Sequence, residues 1–176
     1  EIDRVQKQLS GIRILKGTEC DIKKDGTLDL PDDILAQLDV VGVSVHSHFD
    51  LPEPIQTQRL IRAMENPYVH IVFHPTGRLI GRRSGYAADI PALLKAAKRT
   101  HTVMEINAHP GRLDLNDQHI RAALSLGVRL SIDTDAHAVS ELGYMRWGIG
   151  QARRGWAQKR DIINTRPWRE MLKLLK

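Results

Sequence analysis

The stretch Val-Val-Gly-Val-Ser-Val at residues 40–45 is a short β-branched run that predicts a buried strand. A helical pattern with one apolar face follows at 55–64, and another β-branched run follows at 69–73. Parallel strands need a long crossover connection, which is usually a helix, so strand, helix and strand in this order are typical of a parallel sheet. The segment therefore predicts an α/β fold.

The same alternation extends in both directions from this stretch. Further strands are predicted at 12–15, 102–106 and 128–132, and helices at 2–9, 90–98, 117–126 and 167–175. The segment 140–153 is predicted to be helical with breaks. A short helix is also expected from Pro31, and 164–165 suit a cap for the last helix. Five strand–helix units, each roughly 30 residues long, imply a parallel sheet or a barrel. A closed barrel needs about seven or eight strands, so either the sheet is open or its first strands precede Glu1.

Composition places the chain among globular proteins of ordinary size. It has 176 residues, of which 41% are hydrophobic and 27% charged, enough for one domain with one core. No apolar run approaches the roughly 20 residues of a membrane helix, so we expect no membrane partner. Cys20 is the only cysteine, which excludes an internal disulfide and favours a small buried residue in a reducing, cytoplasmic protein.

The charge balance suits a polyanionic partner. Lys and Arg outnumber Asp and Glu by 26 to 21, and the sequence pI is about 9.6. Such an excess is compatible with nucleic acid, although many solvated surfaces are equally basic.

Side chains of metal-ligand type follow every predicted strand. Taken singly, each could be a capping or loop residue, but their recurrence after five of five strands favours a metal site. In parallel barrels the carboxyl ends of the strands meet at one mouth, where they would be gathered. The residues are Glu19, His46, His48, His74, Glu105, Asn107, His109, Asp133, Asp135 and His137.

The spacing and type of these residues indicate which metals could bind. His46 and His48 are two positions apart, as are Asp135 and His137, so each pair would share one face of an extended strand. Imidazole and carboxylate without a thiolate cluster favour Mn, Zn or Fe over a structural zinc site. A carboxylate such as Glu19 can bridge two cations, and clusters of two or three cations are common in phosphate-ester cleavage.

A loop rich in Gly and Arg follows the third predicted strand, at 74–86. Its arginines, Arg78, Arg82 and Arg83, have the fork geometry that binds phosphate oxygens, and its glycines permit close backbone approach. A flexible solvated basic loop explains the same composition equally well.

Several motifs resemble the polymerase and histidinol phosphatase (PHP) family. The short ones are GTECDI at 17–22, SVHS at 44–47, HPTGR at 74–78 and DAH at 135–137. Two more specific ones, EINAHPGRLDL at 105–115 and NTRP at 164–167, resemble the PHP domain that follows the polymerase core in bacterial family X DNA polymerases. The resemblance covers essentially the whole chain.

The resemblance implies a distorted (β/α)7 TIM-like barrel of PHP type, of which this chain would contain about five units. Residues 1–176 would then be an N-terminally incomplete domain without a polymerase core. It also implies up to three divalent ions, with manganese favoured and zinc as the alternative. Glu19 would bridge two ions, His46 and His74 would hold one of them, Asp135 the other, and His137 a third. The catalytic set would be Glu19, Asp135 and His137.

The sequence also departs from the family pattern. The expected His-x-His segment of the first strand and a further His are absent, and both are expected upstream. His48 stands where a small residue is typical and His109 where Asn is expected; together with Asn107 they are candidate ligands or neighbours of ligands. Arg112 joins Arg78, Arg82 and Arg83 as a candidate for binding DNA phosphates.

The function implied by the resemblance is a metal-dependent phosphodiesterase, acting as a 3′–5′ exonuclease and processing DNA 3′ ends in base-excision and gap repair. The expected partners are DNA and the polymerase core of the same bacterial protein, in a monomer, and residues 1–176 alone are expected to be a poor nuclease. One alternative is a small-molecule phosphatase of histidinol-phosphatase type, which the Arg-rich loop disfavours. Another is a scaffold without metal that braces the polymerase.

Overall fold

A computed structural model describes residues 1–176 as an α/β fold built on one five-stranded sheet. The strands are β1 Gly17–Asp21, β2 Val40–Ser44, β3 Ile71–Val72, β4 Val103–Asn107 and β5 Leu130–Asp133. All neighbouring pairs are parallel, and the strands lie in sequence order. Right-handed crossovers that always step to the next strand put their helices on one face, so the arrangement is consistent with a TIM-like fold. Since β1 and β5 form the two edges of the sheet, a closed seven-stranded barrel remains a prediction.

Seven helices connect and flank the strands. They are α1 Ile2–Gln6, α2 Asp32–Leu35, α3 Glu53–Glu65, α4 Ile90–Thr100, α5 Asp117–Ser125, α6 Met145–Arg154 and α7 Trp168–Leu172. The segment 140–153, predicted to be helical with breaks, is a 3₁₀ helix at Val139–Tyr144 followed by α6, which confirms the prediction. No helix is both long enough and apolar enough to cross a bilayer.

The first strand lies further along the chain than the β-branched pattern indicated. Residues 12–15 are not a strand, and Ile12 is 61% exposed. Pairing with β2 begins instead at Gly17, which lies opposite Val40. A Cβ at Gly17 would lie 2.9 Å from the Val40 carbonyl oxygen, so the close approach of the two strands needs a glycine there. Glu19 is therefore in the middle of β1, not at its end.

The two faces of the sheet differ in chemistry because side chains alternate along a strand. The face toward the helices is apolar, with Val41, Val43 and Ile106 packed in the main core. On the other face, Ile71 and Val103 form a smaller apolar cluster with residues of the C-terminal segment. The polar side chains Glu19, Ser44, Glu105, Asn107, Ser131 and Asp133 alternate with the core residues and so belong to this second face.

Asn164 covers the free edge of β5. Its Oδ1 accepts from the Ile132 N–H at 3.1 Å, and its Nδ2 donates to the Ile132 carbonyl at 2.7 Å. The side chain thus imitates a neighbouring strand and does not cap the last helix, as 164–165 were predicted to do. That helix begins after Pro167.

Cys20 is the small buried residue that the sequence predicted. It is 0% exposed, and its Sγ lies 2.8 Å from Asp29 Oδ1. Burial, together with this carboxylate, raises the pKa of the thiol to about 11. A thiol held protonated in the core is a poor nucleophile.

Candidate metal centre

Three side chains from three adjacent strands meet on the second face of the sheet. Glu19 lies in β1, and His46 and His74 each follow a strand by two residues, after β2 and β3. Glu19 Oε1 lies 2.8 Å from His74 Nε2 and 3.5 Å from His46 Nε2, and one ligand atom from each residue falls within 4.8 Å of the others. Zinc bonds of about 2.0–2.2 Å place neighbouring ligand atoms roughly 3–3.5 Å apart, so the cluster has the dimensions of a single-ion site.

The surroundings of His74 also fit a metal ligand. Its side chain is only 3% exposed, one ring nitrogen faces Glu19, and Nδ1 has no hydrogen-bond partner. Its backbone is also held, because the His74 N–H donates to Glu105 Oε2 at 2.5 Å.

The charges of the cluster are strongly coupled. Hydrogen bonds from His46 and His74 hold the pKa of the Glu19 carboxyl far below its usual range. Glu19, together with Asp21 at 2.5 Å from His46 Nδ1, raises the pKa of His46 to about 9. The carboxylates of Glu19 and Asp21 therefore favour a positive charge next to His46. A bound divalent cation would provide that charge in place of the proton on the imidazole.

An acidic pocket of about 260 Å³ adjoins the cluster. Its walls include Glu19 and His74 together with Phe73, Glu105, Asp133, Thr134 and Asp135. Burial, followed by the charge of Asp133, raises the pKa of Glu105 well above its usual value, and burial also raises the pKa of Asp133. Both residues follow the alternation of β4 and β5 and were among the side chains of metal-ligand type expected at this mouth, although the family resemblance did not include them in the ligand set.

Asp135 lies on the wall of this pocket, whereas His137 lies outside the cluster. Asp135 Oδ2 is 3.2 Å from Arg112 Nε and 3.2 Å from Asn107 Nδ2. The His137 ring is 82% exposed, and its Nδ1 contacts the Asp135 backbone oxygen at 2.9 Å. The structure thus gathers Glu19, His46 and His74, places Asp135 on the adjoining pocket, and does not bring His137 to them.

Of the three additional candidates, only Asn107 contacts the acidic groups. It is buried and donates at 3.2 Å to both Glu105 and Asp135. His48 is exposed, and its backbone carbonyl accepts a hydrogen bond from Arg59 at 3.4 Å. His109 accepts from the Gly111 N–H at 3.1 Å and packs edge-on against Tyr144.

The Arg-rich loop is braced by its own arginines. Arg78 donates to the backbone carbonyls of Arg112, at 2.7 Å, and Leu113. Arg83 donates to the Gly77 carbonyl at 2.7 Å and stacks on the ring of Phe49. Arg82 is exposed and is the only arginine of the three whose side chain makes no such contact. Two of the three arginines thus brace the loop against backbone carbonyls, so the loop is not a freely solvated segment. Each guanidinium retains further donors, and phosphate binding by Arg78, Arg82 and Arg83 stays a prediction.

Arg59 is a residue that the sequence-based prediction missed. It lies on α3, is 2% exposed, and donates to the carbonyls of Lys23 at 2.8 Å, Ser47 at 2.9 Å and Ile22. These carbonyls belong to the segments that directly follow β1 and β2, so Arg59 ties together the segments next to Asp21 and His46. Its helical position three residues after buried Gln56 and one before buried Leu60 was the available signal.

Comparisons with known proteins support a phosphoesterase activity. No protein-family model matches it. It is 46% identical over 176 residues, 100% of the chain, to the DNA polymerase/3′-5′ exonuclease PolX of Bacillus subtilis, and covers 31% of that protein. It is 34% identical over 149 residues to a probable phosphatase of Caldanaerobacter subterraneus subsp. tengcongensis, covering 79% of the chain and 56% of the relative. It is 30% identical over 169 residues to a probable phosphatase of Thermoanaerobacter sp. (strain X514), covering 90% of the chain and 66% of the relative.

The chain therefore spans about a third of the length of the PolX relative and between 56% and 66% of these two phosphatase relatives. It is similar over its whole length to part of a PolX protein, and over most of its length to proteins named as probable phosphatases.

Proposed function

We propose that this chain is the phosphoesterase part of a PolX-type protein and hydrolyses phosphate esters with divalent metal ions. The observation that carries the proposal is the approach of Glu19, His46 and His74 to within 4.8 Å beside an acidic pocket. Two imidazoles and a carboxylate suit Mn or Zn.

A divalent cation bound by these residues would polarise a phosphoryl oxygen and promote the loss of a proton from water. The chain itself supplies the positioning. Glu19 orients both imidazoles, Glu105 fixes the backbone of His74, and Asn107 connects Glu105 to Asp135. We propose that Asp135 and His137 hold further cations, as the family resemblance implies.

Arg112 is the cationic side chain in contact with the acidic pocket, through Asp135. We propose that it orients a phosphoryl oxygen of the substrate, because a guanidinium binds such oxygens as a rigid fork. Hydrolysis forms a bond from the water oxygen to phosphorus and breaks the bond to the leaving oxygen. The attacking water gives up one proton, and the leaving oxygen takes one up.

The substrate that we favour is DNA, with hydrolysis from the 3′ end during repair. The support is the 46% identity over the whole chain to a protein named as a polymerase and 3′-5′ exonuclease. DNA and the polymerase core of the parent protein are the proposed partners, with Arg82 contacting the DNA backbone. A phosphatase acting on small phosphate monoesters is the second candidate, favoured by the similarity to proteins named as probable phosphatases.

The test is hydrolysis by the purified protein with and without Mn²⁺, using single-stranded DNA and p-nitrophenyl phosphate. Glu19→Gln keeps the shape of the side chain but removes its charge, and we expect a loss of at least roughly 10–100-fold, the range reached even by residues that only support metal ligands. His101→Gln, remote from the cluster, should leave turnover of p-nitrophenyl phosphate unchanged. Activity of Glu19→Gln within about twofold of the native protein would refute the proposal; hydrolysis of the monoester alone would favour the phosphatase.

A further inference from the structure

A basic groove lies at the end of the sheet opposite the candidate metal centre. One pocket of about 120 Å³ is bordered by Lys98, His101 and Arg129, and a second of about 290 Å³ by Arg129, Arg160 and Arg166. Both pockets share the segment 127–129, which precedes β5, so they adjoin each other along this segment. We call it the basal groove. At about 3.3 Å per residue, the length of β5 separates it from the acidic pocket by more than about 10 Å.

The cations of the basal groove are not balanced by carboxylates. Lys98, Arg129 and Arg166 have no Asp or Glu oxygen within 4.0 Å, and Arg160 has only Asp161, at 3.9 Å. The C-terminal ends of α4 and α5 point to this region and contribute about half a negative charge each. These partial charges and the carboxylate of Asp161, which also lines the second pocket, offset only part of the four Lys and Arg charges, so the groove keeps a net positive potential.

Three of these side chains are already held in place by backbone carbonyls. Lys98 Nζ donates to Gly127 O at 3.0 Å, Arg129 Nη1 to Leu174 O at 2.5 Å, and Arg166 Nη2 to Arg160 O at 3.1 Å. A lysine ammonium has three donors and an arginine guanidinium has five, so each retains donors for a ligand. Fixed side chains also lose less conformational entropy when they bind.

We propose that the basal groove binds the backbone phosphates of a nucleic-acid strand, at a site distinct from the metal centre. Two joined pockets with cations along both match successive phosphates better than a single free anion. Arginine forks suit phosphate oxygens, and no Phe, Tyr or Trp side chain lines either pocket, so we expect contacts with the backbone and no readout of sequence. An acidic protein partner is less well matched, since protein interfaces are enriched in aromatic anchors.

The test is binding of a fluorescent 20-nucleotide single-stranded DNA to the purified protein in EDTA, measured by anisotropy at several salt concentrations. Without divalent ions the acidic pocket repels DNA, so the remaining attraction reports on other surfaces. The triple variant Lys98→Ala/Arg129→Ala/Arg166→Ala should bind more weakly than native protein. The slope of log affinity against log salt should fall by about two, at roughly 0.7 for each lost contact with a single strand.

The matched control removes the same charge elsewhere, in Lys7→Ala/Lys24→Ala/Arg153→Ala, and should keep the native slope. A second groove variant, Lys98→Gln/Arg160→Gln, leaves the contacts of Arg129 and Arg166 intact, so it tests the groove without loosening the C-terminal segment. It should lose about 1.4 units of slope. Equal slopes in groove and control variants would overturn the proposal.

Two competitors separate other ligands from nucleic acid. Millimolar inorganic phosphate should not displace the DNA, and a glutamate peptide of equal charge should bind more weakly; complete displacement by phosphate, or equal affinity for the peptide, would overturn the proposal. The groove does not depend on the phosphoesterase proposal. Mn²⁺-dependent turnover of p-nitrophenyl phosphate should stay unchanged in the groove variants, so the failure of one proposal is distinguishable from failure of the other.

Discussion

Asp114 is a buried carboxylate that joins two segments of the candidate site. Its Oδ2 accepts from both the N–H and the hydroxyl of Thr76, each at 2.9 Å, while Oδ1 has no partner. The contact ties the 105–115 segment to the loop that begins at His74. Burial raises the pKa of Asp114 above its ordinary value, despite the two hydrogen bonds that favour the charged form.

Asp114→Asn should therefore change how stability depends on pH. Because the pKa of Asp114 is higher in the folded protein than in the unfolded chain, its contribution is fully present below the unfolded pKa of about 3.9 and is lost as pH rises through the folded value. The asparagine does not titrate. The free energy of unfolding of the variant should therefore increase relative to that of the native protein as pH rises. Urea unfolding between pH 4 and pH 8 measures the difference.

The control for this experiment is Asp50→Asn, at an exposed position. Its stability should differ from that of the native protein by a constant amount over the same pH range. Parallel curves for Asp114→Asn and native protein would contradict the assigned role of Asp114.

Single residues show why the sequence located part of the site and missed the rest. Glu19, His46 and His74 were predictable because parallel strands bring their ligand-type residues together. His137 was placed beside Asp135 on the assumption of an extended strand, but Asp135 has a positive φ of 53° and turns the chain. Sequence alone also does not reveal that neighbouring carbonyls take up some of the donors of Arg78, whose binding to phosphate stays a prediction.

At the scale of elements, α3 acts on the site through Arg59. Its guanidinium donates hydrogen bonds to backbone carbonyls that follow β1 and β2, and no carboxylate pairs with it. Burial alone lowers its pKa, although the group stays charged because arginine titrates far above neutral pH. The segments that carry Asp21 and His46 thus depend on the fork of one side chain.

Arg59→Lys should weaken metal binding as well as stability. Lysine keeps the charge but cannot reach all these carbonyls at once, and buried acceptors left unpaired cost about 1–3 kcal/mol. Displacement of His46 should lower Mn²⁺ affinity by roughly 10-fold or more, as is typical for residues that position metal ligands. Calorimetric titration of the folded variant with Mn²⁺ measures this effect.

Arg62→Lys on the same helix is the matched control, because Arg62 is exposed and pairs only with the Asp25 segment. Arg62→Lys should leave both the Mn²⁺ affinity and the free energy of unfolding nearly unchanged. If folded Arg59→Lys bound Mn²⁺ as tightly as native protein, Arg59 would stabilise the fold without positioning the site.

The order of elements was predicted correctly, whereas the predicted position of the first strand was wrong. Amphipathic patterns located the helices at 55–64, 90–98 and 117–126 to within a few residues of α3, α4 and α5. The first strand was misplaced because β-branched residues at 12–15 gave a stronger local signal than Gly17–Asp21. Strand position there depends on close pairing with β2, which no local pattern records.

At the scale of the whole molecule, the net charge of +5 conceals an uneven distribution. Acidic side chains collect at the carboxyl ends of the strands, and cations that mostly lack a carboxylate partner collect at the amino ends. Composition alone indicated a polyanionic partner, but could not show this separation of acidic and basic side chains. The two ends are suited to different parts of a nucleic-acid ligand.

The most direct test of the metal centre is Mn²⁺ affinity of His46→Gln compared with His48→Gln, measured by calorimetry or by electron paramagnetic resonance of free Mn²⁺. The two histidines are neighbours in sequence, but only His46 lies in the cluster with Glu19 and His74. We expect His46→Gln to lose at least roughly 10–100-fold in affinity and His48→Gln to stay within about twofold of the native protein. Equal affinities in the two variants would contradict a metal centre at these residues.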